Sequence, residues 1–395
     1  MGIKRLMNLL KEKCPKSIRS VPLSNYTGQI FALDASMAMY QFLISTQTIK
    51  TTGFSIAELR DEEGNLTGHL LGLLNRTLML MEHGIRPVWV FDGKPPEAKM
   101  NTLRGRKEIK ENAEKEKDEA KDQGDMEKAL KFANQTIRID QKMTDDAKRL
   151  IGLLGIPVIE APSEAEATCS VLAKDKKVFA AATEDMDTLC FGCPVLIRDL
   201  SGKEENIIEI KLDEVLNGLG LTMDEFVDLC ILCGCDYCER IEGIGCIKAY
   251  QLIKEYKTIE GVIEYSEKYN KDESHKKKYT YNKENFDFVQ ARELFKKPEV
   301  IDTSKVEFNF GSPNVEGLKQ FLVKEKNFSE TRIDNAIKRL GNAKSKASQS
   351  RLDSFFSFKP KTNDNFVNPG KIKPKQVSAD KNKSKKKGKN KYLNL

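Results

Sequence analysis

Three histidines in 395 residues, His69, His83 and His275, form no ligand spacing, and none pairs with a serine or cysteine as nucleophile and base, so covalent catalysis is not expected. Long apolar runs are also missing. The longest stretches, HLLGLLNRTLMLM (69–81) and VDLCILCGC (227–235), are short or broken by Asn75 and Arg76, and no membrane crossing is expected. The opening MGIKRLMNLL has no uninterrupted apolar run with a small-residue cleavage site, so secretion is not expected either. Leu6 breaks the myristoylation pattern. Nine cysteines, an odd number without an export signal, argue for reduced thiols and no structural disulfides. Cys230, Cys233, Cys235 and Cys238 invite a zinc reading, with Cys190 and Cys193 as a further pair, but only Gly234 separates the first two pairs. Structural zinc sites place about a dozen or more residues there, which favours buried small apolar side chains instead.

What is present is charge and a sizeable core. Hydrophobic residues make up 39% and charged residues 32%, in a chain long enough for two or three domains. The net charge of +7 is unevenly placed: residues 343–395 carry 15 Lys plus Arg and three acids, leaving the preceding chain at −5. Nucleic acid would therefore be bound through local patches on a mildly acidic body.

Residues 29–33 (QIFAL), 86–91 (RPVWVF) and 177–182 (KVFAAA) read as strands, the first two ending at an aspartate and the third running into TEDMD. Helical patterns lie between, at 36–46 and at 68–84, the latter ending at a capping Gly84. This alternation predicts an α/β fold: a central, mostly parallel sheet flanked by helices, whose ligands gather beyond the carboxyl ends of the strands. From Lys94 to about Leu150 the composition turns to Lys, Glu, Asp, Ala and Gln, read as two solvated helices joined at Gly124 with few core-facing positions. Residues 267–288 read as a loop, and everything after Asn342 as disordered.

Seven carboxylates stand at the ends of these elements: Asp34, Asp92, Glu164, Glu166, Asp185, Asp187 and Asp236. Singly, each suits a surface charge or a cap. Together, they could not all ionise comfortably, because like charges about 4 Å apart repel by about 4 kcal/mol at an effective dielectric of 20. An all-oxygen cluster suits Mg²⁺ or Mn²⁺. Residues two apart on a helix point to nearly opposite sides, so either Glu164 and Glu166 straddle a helix start, which Pro162 and Ser163 supply, or one of them acts through water.

The runs MGI, ALDASMAMYQFL, VFDGKPPEAK, APSEAEA, AAATEDMDTLCFG, LCGCDYC and GIG, in this order, resemble the structure-specific flap endonucleases over about residues 1–356, and they include all seven acids. The resemblance implies a nuclease core over 1–342, with an N-terminal nuclease region (about 1–110), a helical arch (about 94–150), an internal nuclease region (about 128–260) and a helical C-terminal part (about 260–342). It also implies a helix-hairpin-helix type DNA-binding element. The implied activity is cutting of 5′ flaps on branched DNA in replication and repair, base excision repair included, with two Mg²⁺ per site, Mn²⁺ as the substitute, and a 5′ exonuclease side activity. The seven acids become metal ligands. Lys99 and Arg106 match family positions at the scissile phosphate, and Tyr40 the residue that stacks on a neighbouring base. Lys94, Arg104, Lys107 and Lys110 add cations to the arch. Two departures stand out: Ile109 replaces a second arch arginine, leaving Lys110 as its substitute, and Gln47 replaces a cation of the junction-binding region.

Gly243 and Gly245 in IEGIGCIKA form a turn opening a helix, where backbone N–H groups and Lys248 would meet a phosphate. Where the family has Pro and Lys after this turn, Cys246 and Ile247 stand here. In the tail 343–395, Gln349, Leu352, Phe355 and Phe356 within QSRLDSFF (349–356) have the spacing of the box that binds the sliding clamp, the proliferating cell nuclear antigen. The basic segment 381–391 is either a nuclear address, the reading preferred, or a solvated charge run, with the mitochondrion as a second compartment. The expected protein is a monomer; the rival readings are a sister 5′ exonuclease preferring nicks or gaps, and a non-catalytic junction-binding clamp adaptor.

Overall fold

Alternation along the short strands decides which side chains meet on each face of the central sheet. The computed structural model describes residues 2–49, 56–57, 59–200, 206–274 and 277–347. Residues 1–349 form one unit and 350–395 another. His275, the clamp-box residues Gln349, Leu352, Phe355 and Phe356, and the basic segment 381–391 lie outside the described residues. The strands are β1 (Ile18–Pro22), β2 (Ile30–Asp34), β3 (Thr48–Ile49), β4 (Ile56–Ala57), β5 (Arg86–Phe91), β6 (Val158–Glu160), β7 (Ala180–Ala182), β8 (Val195–Arg198) and β9 (Asn206–Lys211). Seven of them form a mixed sheet in the order β1-β9-β8-β7-β2-β5-β6, while β3 and β4 pair separately. The stretch from β8 through β7, β2 and β5 to β6 is parallel; β9 joins β8 and β1 antiparallel.

Because side chains alternate along a strand, Phe31, Leu33, Trp89 and Phe91 enter one core, and Ala32, Val90 and Ala181 enter a smaller one on the opposite face. Trp89 is fully buried, and its Nε1 donates to Thr77 Oγ1 at 3.1 Å. Replacing so large a side chain by alanine costs about 3–5 kcal/mol. A third core joins the helices Leu6–Lys13, Met223–Cys233 and Cys246–Tyr256 through Leu9, Phe226 and Leu252.

The second expected strand is found unchanged at Arg86–Phe91. The third is shorter than 177–182: only Ala180–Ala182 ladder, because Lys176 takes a left-handed conformation and the chain is still turning. The solvated region is correct for its first two helices, Met100–Asp122 and Met126–Thr136, which pack against each other and bury only Ala113, Ala120, Ala129 and Ala133. It is wrong beyond them. The helix Gln141–Leu153 buries Met143, Ala147, Leu150 and Ile151, a core face at helical spacing that the surrounding charge concealed. The helix Ile259–Lys271 reaches into the run read as a loop, and the helix Glu330–Ala347 continues past Asn342.

Candidate active site

The carboxyl ends of β2, β5 and β7 open on one cleft of about 740 Å³, roofed by the first arch helix. Asp34 ends β2 and caps the helix Ala35–Thr46: its Oδ1 accepts from Met37 N at 2.9 Å, and its Oδ2 from Thr183 Oγ1 at 3.1 Å. Asp92, exposed and one residue past β5, accepts from Ala165 N at 2.7 Å. Glu164 is the N-cap of the helix Ala165–Lys174 and Glu166 lies in its first turn, so the pair straddles a helix start, the first of the two arrangements their spacing allowed. Asp185 and Asp187 follow β7; Asp187 N donates to Asp185 Oδ1 at 3.1 Å. Asp236 follows the helix Met223–Cys233.

Asp34, Asp92, Glu164, Glu166, Asp185 and Asp236 line the cleft together with Tyr40, Lys99, Arg106, Lys107 and Lys110. Asp187 lies behind Asp185, and one of its carboxylate oxygens is buried with no hydrogen-bond partner among the described residues. Lys94, Arg104, Gly243, Gly245 and Lys248 are outside the cleft lining. Gly243, at φ +84°, bends the chain in a way that a side chain resists, and Gly245 caps the helix Cys246–Tyr256. Lys248 Nζ sits 5.7 Å from the Tyr265 ring centre.

Lys99 organises the acids. Its ammonium bonds Glu164 and lies 3.6 Å from Glu166 and 3.5 Å from Asp236, with its own side chain 13% exposed. Arg106 grips both oxygens of Asp236, at 2.6 and 2.7 Å. Burial works against the Lys99 charge, but Glu166 and Glu164 outweigh it and hold the ammonium above the ordinary lysine range. The acids respond to the same burial. Asp34 is pushed up to about 7, by burial first and the Asp92 charge second. Burial also raises Glu166, against the pull of Lys99, and it raises Asp185 and Asp187. The difficulty of ionising the cluster is therefore mainly desolvation, with mutual repulsion second.

Several partners escaped the sequence reading. The Tyr237 hydroxyl donates to Glu164; burial, then the Glu164 charge, raises its pKa and keeps the proton in place. Thr102 Oγ1 donates to the Asp236 backbone carbonyl at 2.8 Å. Arg138 lines the cleft near Lys110, whose pKa is lowered by burial and then by Arg138. Tyr237 could have been suspected from its place beside Asp236 in LCGCDYC; Arg138 stands alone in its segment and carries no such signal. Gly2 closes the floor: a Cβ there would lie 1.8 Å from Asp185 Oδ1 and 2.4 Å from Asp187 Oδ1, and its φ is +73°.

Among the described residues, no three His, Cys, Asp or Glu side chains close into coordination geometry, and Lys99 occupies the space between Glu164, Glu166 and Asp236. The donor chemistry nonetheless fits hard divalent cations: the acids around the cleft are all oxygen donors, one buried oxygen of Asp187 is orphaned, and a cation already sits among three of the carboxylates. Ions of the Mg²⁺ type keep several waters and accept such open arrangements.

Residues 1–113 match the XPG N-terminal domain and residues 155–236 the XPG I-region. Flap endonuclease 1 of Tetrahymena thermophila is 49% identical, over 98% of this chain and 100% of that protein. The solved flap endonuclease-1 from Methanococcus jannaschii superposes with a TM-score of 0.62 at 32% identity, covering 84% of this chain and 97% of its own. The catalytic core of Rad2 in complex with DNA substrate shares the fold at a TM-score of 0.65 and 24% identity, covering 86% of this chain and all of that one. With this likeness running the length of the chain and all seven expected metal-ligand acids at or just behind one cleft, the chain belongs to the flap endonuclease family.

Proposed function

We propose that this chain is a divalent-metal-dependent, structure-specific 5′ flap endonuclease of DNA replication and repair, with 5′ exonuclease activity on the side. One observation carries the reading: acids from five separate segments and four arch cations meet in one cleft at the carboxyl ends of parallel strands. A pure junction binder has no use for so many carboxylates beside a polyanion.

Asp34, Asp92, Glu164, Glu166, Asp185, Asp187 and Asp236 would hold two Mg²⁺ ions, directly or through water. Such ions, when bound, activate an attacking water and stabilise the leaving oxygen. The remaining work belongs to the protein. Lys99 and Arg106, each held on an acid, are positioned to turn toward an entering phosphate and offset the charge developing on it. Tyr237 fixes Glu164, and Thr102 ties the arch to the backbone of Asp236. Tyr40, half-buried with its hydroxyl donating to Asn134 O at 3.3 Å, offers a ring for a base near the scissile bond. Lys110 donates to Ile137 O at 3.1 Å and stands 5.9 Å from the Tyr40 ring centre, which supports its substitution for the arch arginine. Lys94, Arg104 and Lys107 would meet phosphates along the arch, and Gly243, Gly245 and Lys248 the duplex backbone. The sequence of the tail supports tethering to the sliding clamp through Gln349, Leu352, Phe355 and Phe356, and nuclear localisation.

Labelled flap, nick, bubble and four-way substrates cut side by side in Mg²⁺ test the proposal, with the flap expected to be cut fastest. Preference for the nick selects the exonuclease reading. Tight junction binding without cutting, in Mg²⁺ or Mn²⁺, selects the adaptor.

A further inference from the structure

The nine free cysteines include one pair brought much closer than the rest. Cys233, the last residue of the helix Met223–Cys233, and Cys246, the first of the helix Cys246–Tyr256, place their Sγ atoms 2.6 Å apart. A disulfide needs about 2.05 Å, so bonding requires little further approach. The two residues bracket the segment that carries Asp236 and the Gly243–Gly245 turn. Cys235 and Cys238 are more distant, at 3.9 Å.

The two thiols differ in the ways that assign roles. Cys246 begins a helix of eleven residues, where unpaired N–H groups favour a thiolate. Its pKa is lowered by the hydrogen bond from Cys233, while burial raises that of Cys233. Cys246 is also the more exposed partner, at 6% against 2%. We infer that Cys246 and Cys233 form a reversible peroxide-oxidised dithiol, with Cys246 as the attacking thiolate and Cys233 as the resolving thiol.

The chemistry balances with hydrogen peroxide as oxidant. The Cys246 thiolate attacks one peroxide oxygen and the O–O bond breaks, giving a sulfenic acid and hydroxide, which takes a proton to become water. The Cys233 sulfur then attacks the sulfenic sulfur, the S–O bond breaks, and a second water leaves with the Cys233 proton. Two thiols are oxidised to one disulfide, and one peroxide is reduced to two waters. A dithiol reductant reverses the bond by exchange. Because the sulfurs already touch, the bond fixes the turn in its present shape and spares Cys246 from irreversible oxidation. It leaves the cleft acids where they are.

The test uses the full chain, treated with hydrogen peroxide under native conditions, acid-quenched, alkylated and digested for mass spectrometry. The expected product is a peptide linked at Cys233–Cys246, present before links among the other cysteines and removed by dithiothreitol, with flap cleavage within about twofold of the reduced protein. Cys233→Ala should leave Cys246 as a sulfenic acid trapped by dimedone and then driven to the sulfinic acid. A first link at Cys235–Cys238, no link at all, or direct sulfinic acid at Cys246 in the unsubstituted protein would each overturn the inference. The unsubstituted chain decides the matter even if the variant fails to fold.

Discussion

Replacing Lys99 by methionine keeps the length of its stem and removes its charge, which separates two jobs assigned to this side chain. In the metal-free protein, Lys99 neutralises Glu164, Glu166 and Asp236, whose side chains are only 7–10% exposed. Removing one partner of a buried ion pair costs about 3–5 kcal/mol. The lower end applies here, because Glu164 keeps the Tyr237 hydroxyl and Asp236 keeps Arg106. At about 2 °C per kcal/mol for a large unit, the Tm in EDTA should fall by about 6 °C. Mg²⁺ should restore more of the variant's Tm than it adds to the wild type, since the bound cation replaces the missing charge. Cutting should not recover with it: loss of one donor to a reacting oxyanion costs about a hundredfold or more. Scanning calorimetry in EDTA and in Mg²⁺, beside single-turnover flap cleavage, reads both effects. An unchanged Tm in EDTA would refute the countercharge role, and an unchanged rate would remove Lys99 from the reacting phosphate.

Asp185→Ala should hold flap DNA with near wild-type affinity in a filter-binding assay while its single-turnover rate falls by several orders of magnitude; normal cutting would show the metal site to be misplaced. Lys110→Ala should slow single-turnover cleavage if this lysine replaces the arch arginine, and an unchanged rate would mean the contact is missing. Phe355→Ala with Phe356→Ala should abolish clamp binding in surface plasmon resonance yet leave cleavage of free flaps intact. Burial pushes the His69 imidazole down to about 4, so the unfolded chain binds a proton below about 6.5 that the folded chain refuses. Stability in urea titrations should therefore decline as pH falls from about 6.5 to about 4, and His69→Gln should flatten that limb.

The strand ends were legible because parallel strands buried on both faces are written as short apolar runs, and the residue leaving such a run must face the cleft. Asp34 and Asp92 could be placed from QIFALD and RPVWVFD for that reason. Glu164 and Glu166 were legible from geometry, since within a regular helix residues two apart face nearly opposite ways and a helix start lets both serve one site. The helix Gln141–Leu153 was not, because Lys142, Asp145, Asp146, Lys148 and Arg149 mask a core stripe of four residues. Long-range pairs were equally hidden: Tyr237 to Glu164 spans 73 residues, and nothing local to either encodes their meeting. Lys99 was flagged for a phosphate, yet its service to three carboxylates follows only from tertiary placement.

Gly2 changes how this protein can be handled. Its bare Cα sits against Asp185 and Asp187 with no room for even a methyl group, so this glycine is part of the floor of the acidic cleft. Any sequence fused ahead of Gly2 would begin beside these two carboxylates. An affinity tag there could silence the enzyme in a way easily mistaken for a missing metal or a wrong substrate, so purification handles belong at the opposite terminus.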